Sequence, residues 1–459
     1  MSGFTPSELA NNLPLQKAKV ILAMKFGRIK ASSKLDSRGI PTVKVELEIK
    51  TVRQIYKGSG YAPSGASTGV HEALELRDND ESHYHGKGVS KAIKNVNETI
   101  AKALITADLE FDNLRKVDDF LINLDGSDNK SVLGANALCA FSLATARAIA
   151  ASKELELYEY LNQEFFSNTP ISKLNSQDAY QGPIPMSNVI NGGVHADSGL
   201  SVQEFMVVPE TGRMDSVIEG VSTLYQDLKS TLHKDGFSIA LGDEGGFAPK
   251  LKNTKTVIEY LEALLKKQNH NSANYRLALD VAASEFYDAG KNLYTIDGLE
   301  LSSQELVNFY KEIVENHNIF SLEDPLAEDD IEGWKLITQE LGDKIMLVGD
   351  DLFVTNLERF KSIGLGQKIG NAILIKFNQI GTITETCDVI NLAKANNYKI
   401  IISHRSGETI DTFISDLAFA CQADFIKLGA TARGERVAKY NRLLEISELI
   451  DEKTFIESG

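Results

Sequence analysis

Residues 42–49, TVKVELEI, alternate apolar and polar positions. A period of two predicts a half-buried antiparallel strand. Further along the chain the pattern changes. Short runs that are apolar almost throughout recur, and each ends in one residue able to do chemistry. YRLALD ends at Asp280, IFSLED reaches Glu323 and IMLVGD ends at Asp350. AILIK ends at Lys376, KIIISH at His404 and ADFIK at Lys427. After a first step of 43 residues, the spacings are 27, 26, 28 and 23. A strand, a loop and a helix together consume about 25–30 residues, so these runs predict successive βα units. In a closed parallel barrel every strand points its C-terminal end at one face, where the chemistry gathers. Lys376, at the end of an apolar run, sits where such a barrel places a working residue.

Helical patterns lie in SKAIKNVNETIAKALI and NALCAFSLATARAIAASK. Ser302 with Glu305, and Thr355 with Glu358, match the capping box that starts a helix. The stretch 50–69 ends in SGYAPSGASTG, rich in Gly, Ser and Ala, and reads as a loop. Residues 166–181 show no strong periodicity and read as a linker. The resulting division is an N-terminal extension over 1–27, a smaller α+β capping domain over 28–165, the linker, and a catalytic α/β barrel domain over 182–459. No repeat in sequence underlies the βα rhythm.

Asp280, Glu323 and Asp350 offer hard oxygen ligands on successive strand ends. That donor set suits Mg²⁺ and, lacking Cys and His, argues against zinc. The alternative is a set of solvated carboxylates or helix caps. Lys376 and Lys427 share the same mouth. Neighbouring cations and partial burial would lower a lysine's pKa and make it a base. The alternative is that both lysines pair with the acids in structural bridges. NGGVHADSGLSVQEF adds His195, Gln203 and Glu204, and LGDEGGFAP adds Asp243 and Glu244. SHRSGET offers His404, Arg405 and Ser406 together, which suits a phosphate because arginine binds it through a planar fork. His71, His83, His85, His233, His270 and His317 lie in polar contexts and read as surface residues. GASTG at 65–69 imitates the nucleophile elbow of serine hydrolases, but PSG precedes it where a buried strand is needed, so Ser67 reads as a loop residue. No P-loop pattern is present.

Composition narrows the picture. The 459 residues are 42% apolar and 24% charged, ordinary for a globular protein. A net charge of −16 argues against a general nucleic-acid binder, and requires any anion site to be locally basic. Three scattered cysteines, Cys139, Cys387 and Cys421, point to a reducing compartment and not to a disulfide framework or structural zinc. No apolar run reaches the ~18 residues of a membrane span. The polar N-terminus reads as an appended arm, not a signal peptide, so the expected location is the cytoplasm, with room for a secondary surface or secreted pool.

Long ordered stretches then carry a resemblance. LDSRG (35–39), APSGASTGVHEALELRD (62–78), GDEGGFAP (242–249), SLEDPLAEDD (321–330), GDDLFVTN (349–356), IKFNQIGT (375–382), SHRSGETIDTFISDLA (403–418) and IKLGATARGER (426–436) together resemble the enolase family. The likeness runs from about Arg28 to about Ile446. It implies an eight-stranded α/β barrel with a ββαα start, beside a smaller α+β N-terminal domain. It implies a hydro-lyase that interconverts 2-phosphoglycerate and phosphoenolpyruvate in glycolysis and gluconeogenesis, with two Mg²⁺ ions per site, the second arriving with substrate. Lys376 would remove the C2 proton, and Glu244, with Glu204 nearby, would act as acid on the departing C3 hydroxyl. Gln203, Arg405, Ser406 and Lys427 would hold the substrate's carboxylate and phosphate, with His195 and His404 around the phosphate and leaving group. Asp280, Glu323 and Asp350 would hold the tighter Mg²⁺, and Ser67 would complete the second site. Family members are usually homodimers, and some bacterial ones are octamers. Ile40 stands where the family usually has Asn, and the N-terminal arm is extra. These departures keep in view a divergent paralogue acting on another phospho- or phosphono-carboxylate; a non-catalytic scaffold is the other alternative, but its mark would be lost catalytic residues, and here all are present.

Overall fold

The computed structural model describes residues 24–52, 54–65, 71–166, 182–210, 212–267 and 275–458, with side chains to residue 452. Residues 1–23 of the predicted extension, 167–181 of the predicted linker, Ser67 and His270 lie outside the described residues.

The N-terminal part opens with an antiparallel sheet of β1 (Lys25–Leu35), β2 (Pro41–Lys50) and β3 (Ile55–Tyr61). The alternation in TVKVELEI appears as expected. Val43, Val45, Leu47 and Ile49 are buried, while Lys44, Glu46 and Glu48 face away from the core. They pack on the long helix Ala135–Ser152, whose residues from Ala135 through Ala146 are all buried. The stretch predicted as a loop over 50–69 instead contains β3. Its glycines conceal the strand in the sequence and explain it in the structure. A Cβ on Gly58 would lie 1.9 Å from the Ala144 carbonyl oxygen, and one on Gly60 would lie 2.5 Å from Leu143 Cβ. Only glycine lets strand and helix backbones approach this closely.

Eight strands close the barrel in the second part. β4 (Ile184–Asn191) and β5 (Glu204–Pro209) pair antiparallel, and β5 also runs antiparallel to β6 (Tyr275–Asp280). Two helices, Met214–Lys234 and Thr254–Lys267, separate β5 from β6, giving the ββαα start. A small antiparallel sheet of β7 (Tyr287–Asp288), β8 (Leu293–Ile296) and β9 (Leu299–Leu301) follows. β10 (Ile319–Glu323), β11 (Met346–Gly349), β12 (Ala372–Ile375), β13 (Lys399–Ser403) and β14 (Phe425–Lys427) then complete the ring in parallel. Helices between them cover the outside.

Strand alternation assigns the inside. Met186, Met206, Ala278, Val348, Leu374, Ile401 and Phe425 fill the barrel interior as one apolar cluster. Two residues further along their strands, the same inward positions bear Asp280, Asp350, Lys376, Ser403 and Lys427. At the opposite end Phe320 and Phe425 meet edge to face, with ring centroids 5.2 Å apart. The Arg276 guanidinium lies over Phe320, 3.7 Å from its centroid.

The Ser302–Glu305 capping box forms as predicted. The Thr355–Glu358 pair does not. The helix there begins at Leu357, capped by the Asn356 side chain, and Thr355 has a left-handed backbone with φ 52°. Its hydroxyl instead accepts from the Lys376 backbone N–H at 2.9 Å. All three cysteines are buried and free. No helix among the described residues is long and apolar enough to cross a membrane.

Candidate active site

Register builds the site. Glu204, Asp280 and Glu323 are direct neighbours across β5, β6 and β10. Because β5 runs against the others, its first residue, not its last, reaches the mouth. Asp350, Lys376 and His404 each stand one residue past a strand end, and Lys427 closes β14. One cavity is lined by His195, Gln203, Glu204, Glu244, Asp280, Asp350, Lys376, His404, Arg405, Ser406 and Lys427. Glu323 lies in the same network, so every predicted site residue within the described chain comes together.

The charges are tightly interlocked. Lys427 Nζ donates to Asp280 Oδ2 at 2.7 Å and to Glu323 Oε1 at 2.9 Å, and lies 3.1 Å from Glu204 Oε1. Lys376 Nζ donates to Asp350 Oδ2. Asp350 Oδ1 also accepts from Gln379 Nε2 at 3.0 Å. Thus Asp280, Glu323 and Asp350 share the mouth, but two ammonium groups stand among them. The bridging alternative for the lysines is met here. Burial is the largest single influence on Lys376 and lowers its pKa, but Asp350 and the other nearby carboxylates together turn the net direction upward.

Carboxylates nonetheless exceed cations. Glu204 and Glu323 are held well above the usual carboxylate range, first by burial and next by Glu244 and Asp280 respectively. Asp324 is raised well above it too, by burial and then by Asp351 and Asp350. Asp351 is pushed up to about 8, by burial first and Asp350 next. The Asp324, Asp350 and Asp351 side chains each bring an oxygen within 4.8 Å of the others. An all-oxygen donor set with surplus negative charge in a buried mouth fits a hard divalent cation.

A second cluster faces the lysines. Glu244 Oε1 lies 3.5 Å from His195 Nδ1 and 3.6 Å from His404 Nε2, and Glu244 Oε2 accepts from Asn188 Nδ2 at 3.1 Å. Arg436 Nη1 donates to His404 Nδ1 at 2.6 Å. An arginine only donates, so His404 accepts at Nδ1 and carries its proton on Nε2, toward Glu244. Burial pushes the His404 pKa well down, consistent with that neutral form. Burial alone would raise Glu244, but the imidazoles, His195 first, and Lys427 take it well below the usual range. The two glutamates are thus pushed in opposite directions, Glu204 toward its protonated form and Glu244 toward its ionised form. Ser406 Oγ lies 3.1 Å from His195 Nε2.

Several residues escaped the sequence reading. Asp324 accepts from the backbone N–H groups of Asp350 at 3.1 Å and Asp351 at 2.8 Å, which fixes the turn that carries both. It and Asp351 directly follow predicted ligands, and only the strict one-residue-per-strand reading hid them. Asn188 sits inside a strand that reads as uniformly buried. Glu72, from the N-terminal domain, pairs with Arg405 at 3.1 Å. Among the described histidines expected on the surface, His317 is the exception. Its side chain is only 8% exposed and lies 3.1 Å from Glu262.

The fold and site define an acid–base enzyme on an α/β barrel, with a lysine held on a carboxylate and two buried glutamates lining one cavity. Family profiles described as "Enolase, N-terminal domain" and "Enolase, C-terminal TIM barrel domain" match residues 27–161 and 179–458. The chain is 49% identical over 426 residues to a protein named Enolase from Corynebacterium kroppenstedtii, covering 92% of this chain and 95% of that protein. It is 48% identical over 432 residues to a protein of the same name from Elusimicrobium minutum, covering 94% and 97%. The chain belongs to the enolase family and is an enzyme of the lyase class.

Proposed function

We propose that this enzyme catalyses the reversible, Mg²⁺-dependent dehydration of 2-phosphoglycerate to phosphoenolpyruvate, serving glycolysis and its reverse in the cytoplasm as a homodimer. The observation that carries this reading is the sharing of one buried cavity by Lys376 and the Glu204–Glu244 pair. Removing a proton from carbon beside a carboxylate while expelling hydroxide needs a base and an acid in one site.

Asp280, Glu323 and Asp350 would hold the resident Mg²⁺, with Asp324 and Asp351 behind them. When bound, the metal supplies positive charge against the negative charge that builds on the substrate carboxylate. Lys376 is the base for C2. To act as base it must be neutral; its Nζ donates to Asp350, a carboxylate that would be engaged by the metal. Glu204, pushed toward its protonated form, supplies a proton through Glu244 to the C3 hydroxyl, which leaves as water. His404, neutral and fixed by Arg436, orients Glu244. Arg405, Ser406, Gln203, Lys427 and His195 supply the donors that hold the phosphate and carboxylate.

Mixing protein, Mg²⁺ and 2-phosphoglycerate should give growing ultraviolet absorbance from the enol product, abolished by a chelator and restored by Mg²⁺. Well-folded, metal-loaded protein without turnover would sink the reading. A clear steady-state preference for a phosphonate analogue would replace the substrate but keep the chemistry.

A further inference from the structure

Arg405 already has a carboxylate on it. Glu72 Oε1 accepts from Arg405 Nη1 and Nη2, each at 3.2 Å, and Oε2 accepts from Nη2 at 3.1 Å. Glu72 comes from the N-terminal domain, 333 residues away in sequence. Both side chains are buried, Glu72 at 8% exposure and Arg405 at 3%. The chain around Glu72 is tied to the barrel. The Ala73 N–H donates to the Gln379 carbonyl at 2.8 Å, and His71 Nε2 lies 3.2 Å from Asp329. Gln379 Nε2 approaches Glu72 Oε1 at 3.4 Å and holds Asp350 Oδ1 at 3.0 Å. Glu72 thereby sits one residue from the carboxylate that pairs with Lys376.

A carboxylate and a phosphate present the same two-oxygen edge to a guanidinium. We propose that Glu72 is an internal counter-anion, seated where the substrate's anionic group must go on Arg405, and that it sets the threshold an incoming anion must exceed. The proposal rests on the reading of Arg405 as a substrate-binding residue. An arriving group gains the arginine only by giving more than Glu72 gives. A dianionic phosphate meets that condition, and a singly charged carboxylate of the same shape does not. Selection thus works through a built-in competitor as well as through contacts to the correct ligand. The displaced carboxylate must find water or another cation, since a buried charge left alone is costly.

Glu72→Gln keeps the shape and one accepting oxygen but removes the competing charge and the second acceptor. Inorganic phosphate, titrated calorimetrically into the Mg²⁺-loaded protein, should bind the variant about 3- to 10-fold tighter than the wild type. KM for 2-phosphoglycerate should fall by a similar factor, so the gain in kcat/KM is carried by KM. A merely structural role would instead raise KM or lower kcat together with Tm. Equal or weaker phosphate binding by the folded variant overturns the proposal. If the wild type binds phosphate but does not turn over 2-phosphoglycerate, the functional reading fails, while tighter phosphate binding by Glu72→Gln still supports the counter-anion. Should Glu72→Gln not fold, Glu72→Asp withdraws the charge by one methylene. Tighter phosphate binding by that variant supports the proposal, and unchanged or weaker binding overturns it.

Discussion

The two ends of the barrel are made from the same strands and look unlike each other. At one end the inward positions are Asp280, Asp350, Lys376 and Lys427, interlocked and almost wholly buried. At the other they are Phe425, Met346 and Phe320, with a single guanidinium lying flat on a ring. Alternation dictates which residues point inward at both ends, so the backbone does not make the difference. What differs is how each end satisfies its polar groups. The apolar end has few polar groups to satisfy, among them the Arg276 Nε, which lies buried without a hydrogen-bond partner, and acts as a floor. The charged end is left with more carboxylates than cations, and that surplus is its chemical capacity. Stability and function are thus separated along one axis, about two side chains apart.

The contrast is sharpest at Lys376. Lys376→Ala should lower kcat by about 10³-fold, the loss expected for a general base. Near-normal turnover would show that the charged end does its work without this lysine. A smaller effect is expected one layer back. Asp324→Asn weakens the acceptor of two backbone N–H groups that shape the Asp350 turn. It should cost about 10- to 100-fold in Mg²⁺ affinity or activity, as outer-layer partners of metal sites do. Titration of Mg²⁺ against turnover checks this, and an unchanged curve would remove Asp324 from the metal site.

The floor should respond in the opposite sense. Arg276→Met removes the cation over Phe320 and should cost roughly 0.5–2 kcal/mol of stability, with kcat and KM unchanged within about twofold. A kinetic defect in protein of normal Tm would mean that the two ends are not separate. The smallest effect concerns the domain junction. Asp118 accepts from Ser142 Oγ and the Thr384 N–H, both at 3.0 Å, joining the N-terminal domain to a barrel helix. Its pKa is pushed up to about 7, chiefly by burial. The native state therefore keeps a proton that the unfolded chain releases near pH 4. That contribution is complete below about pH 4 and is lost as pH rises through about 7. Asp118→Asn removes the titration, so its Tm relative to wild type should improve from pH 5 to pH 8, on the order of a few degrees. A constant difference would refute the assignment.

The charged end was the more legible in sequence, for a physical reason. An apolar run that stops at a charge announces both a buried strand and the point where it meets solvent or a ligand. Six such endings yielded the barrel, the carboxylates and both lysines. Where the signal was not one residue per strand, reading failed. Asp324 and Asp351 lay next to predicted ligands and were passed over. β3 was lost because its glycines serve a close approach to a helix that no local pattern encodes. Thr355 looked like a cap because spacing cannot reveal a left-handed backbone. Glu72 was beyond reach altogether, since its partner lies hundreds of residues away. The pairing of Lys376 with Asp350 could not be read from sequence, because sequence gives neighbours without distances.

The reversed direction of β5 carries one more implication. The hairpin joining β4 to β5 stays at the mouth instead of crossing to the floor, so Asn191, His195, Gln203 and Glu204 arrive on one continuous piece of chain. The acceptors and lysines opposite are gathered from β6, β10, β11, β12 and β14. A short graft could exchange much of the proton-donating side in one event, whereas the proton-accepting side would need coordinated changes across the ring. Diversification of such a scaffold should therefore be lopsided, trading leaving groups more readily than the site of deprotonation.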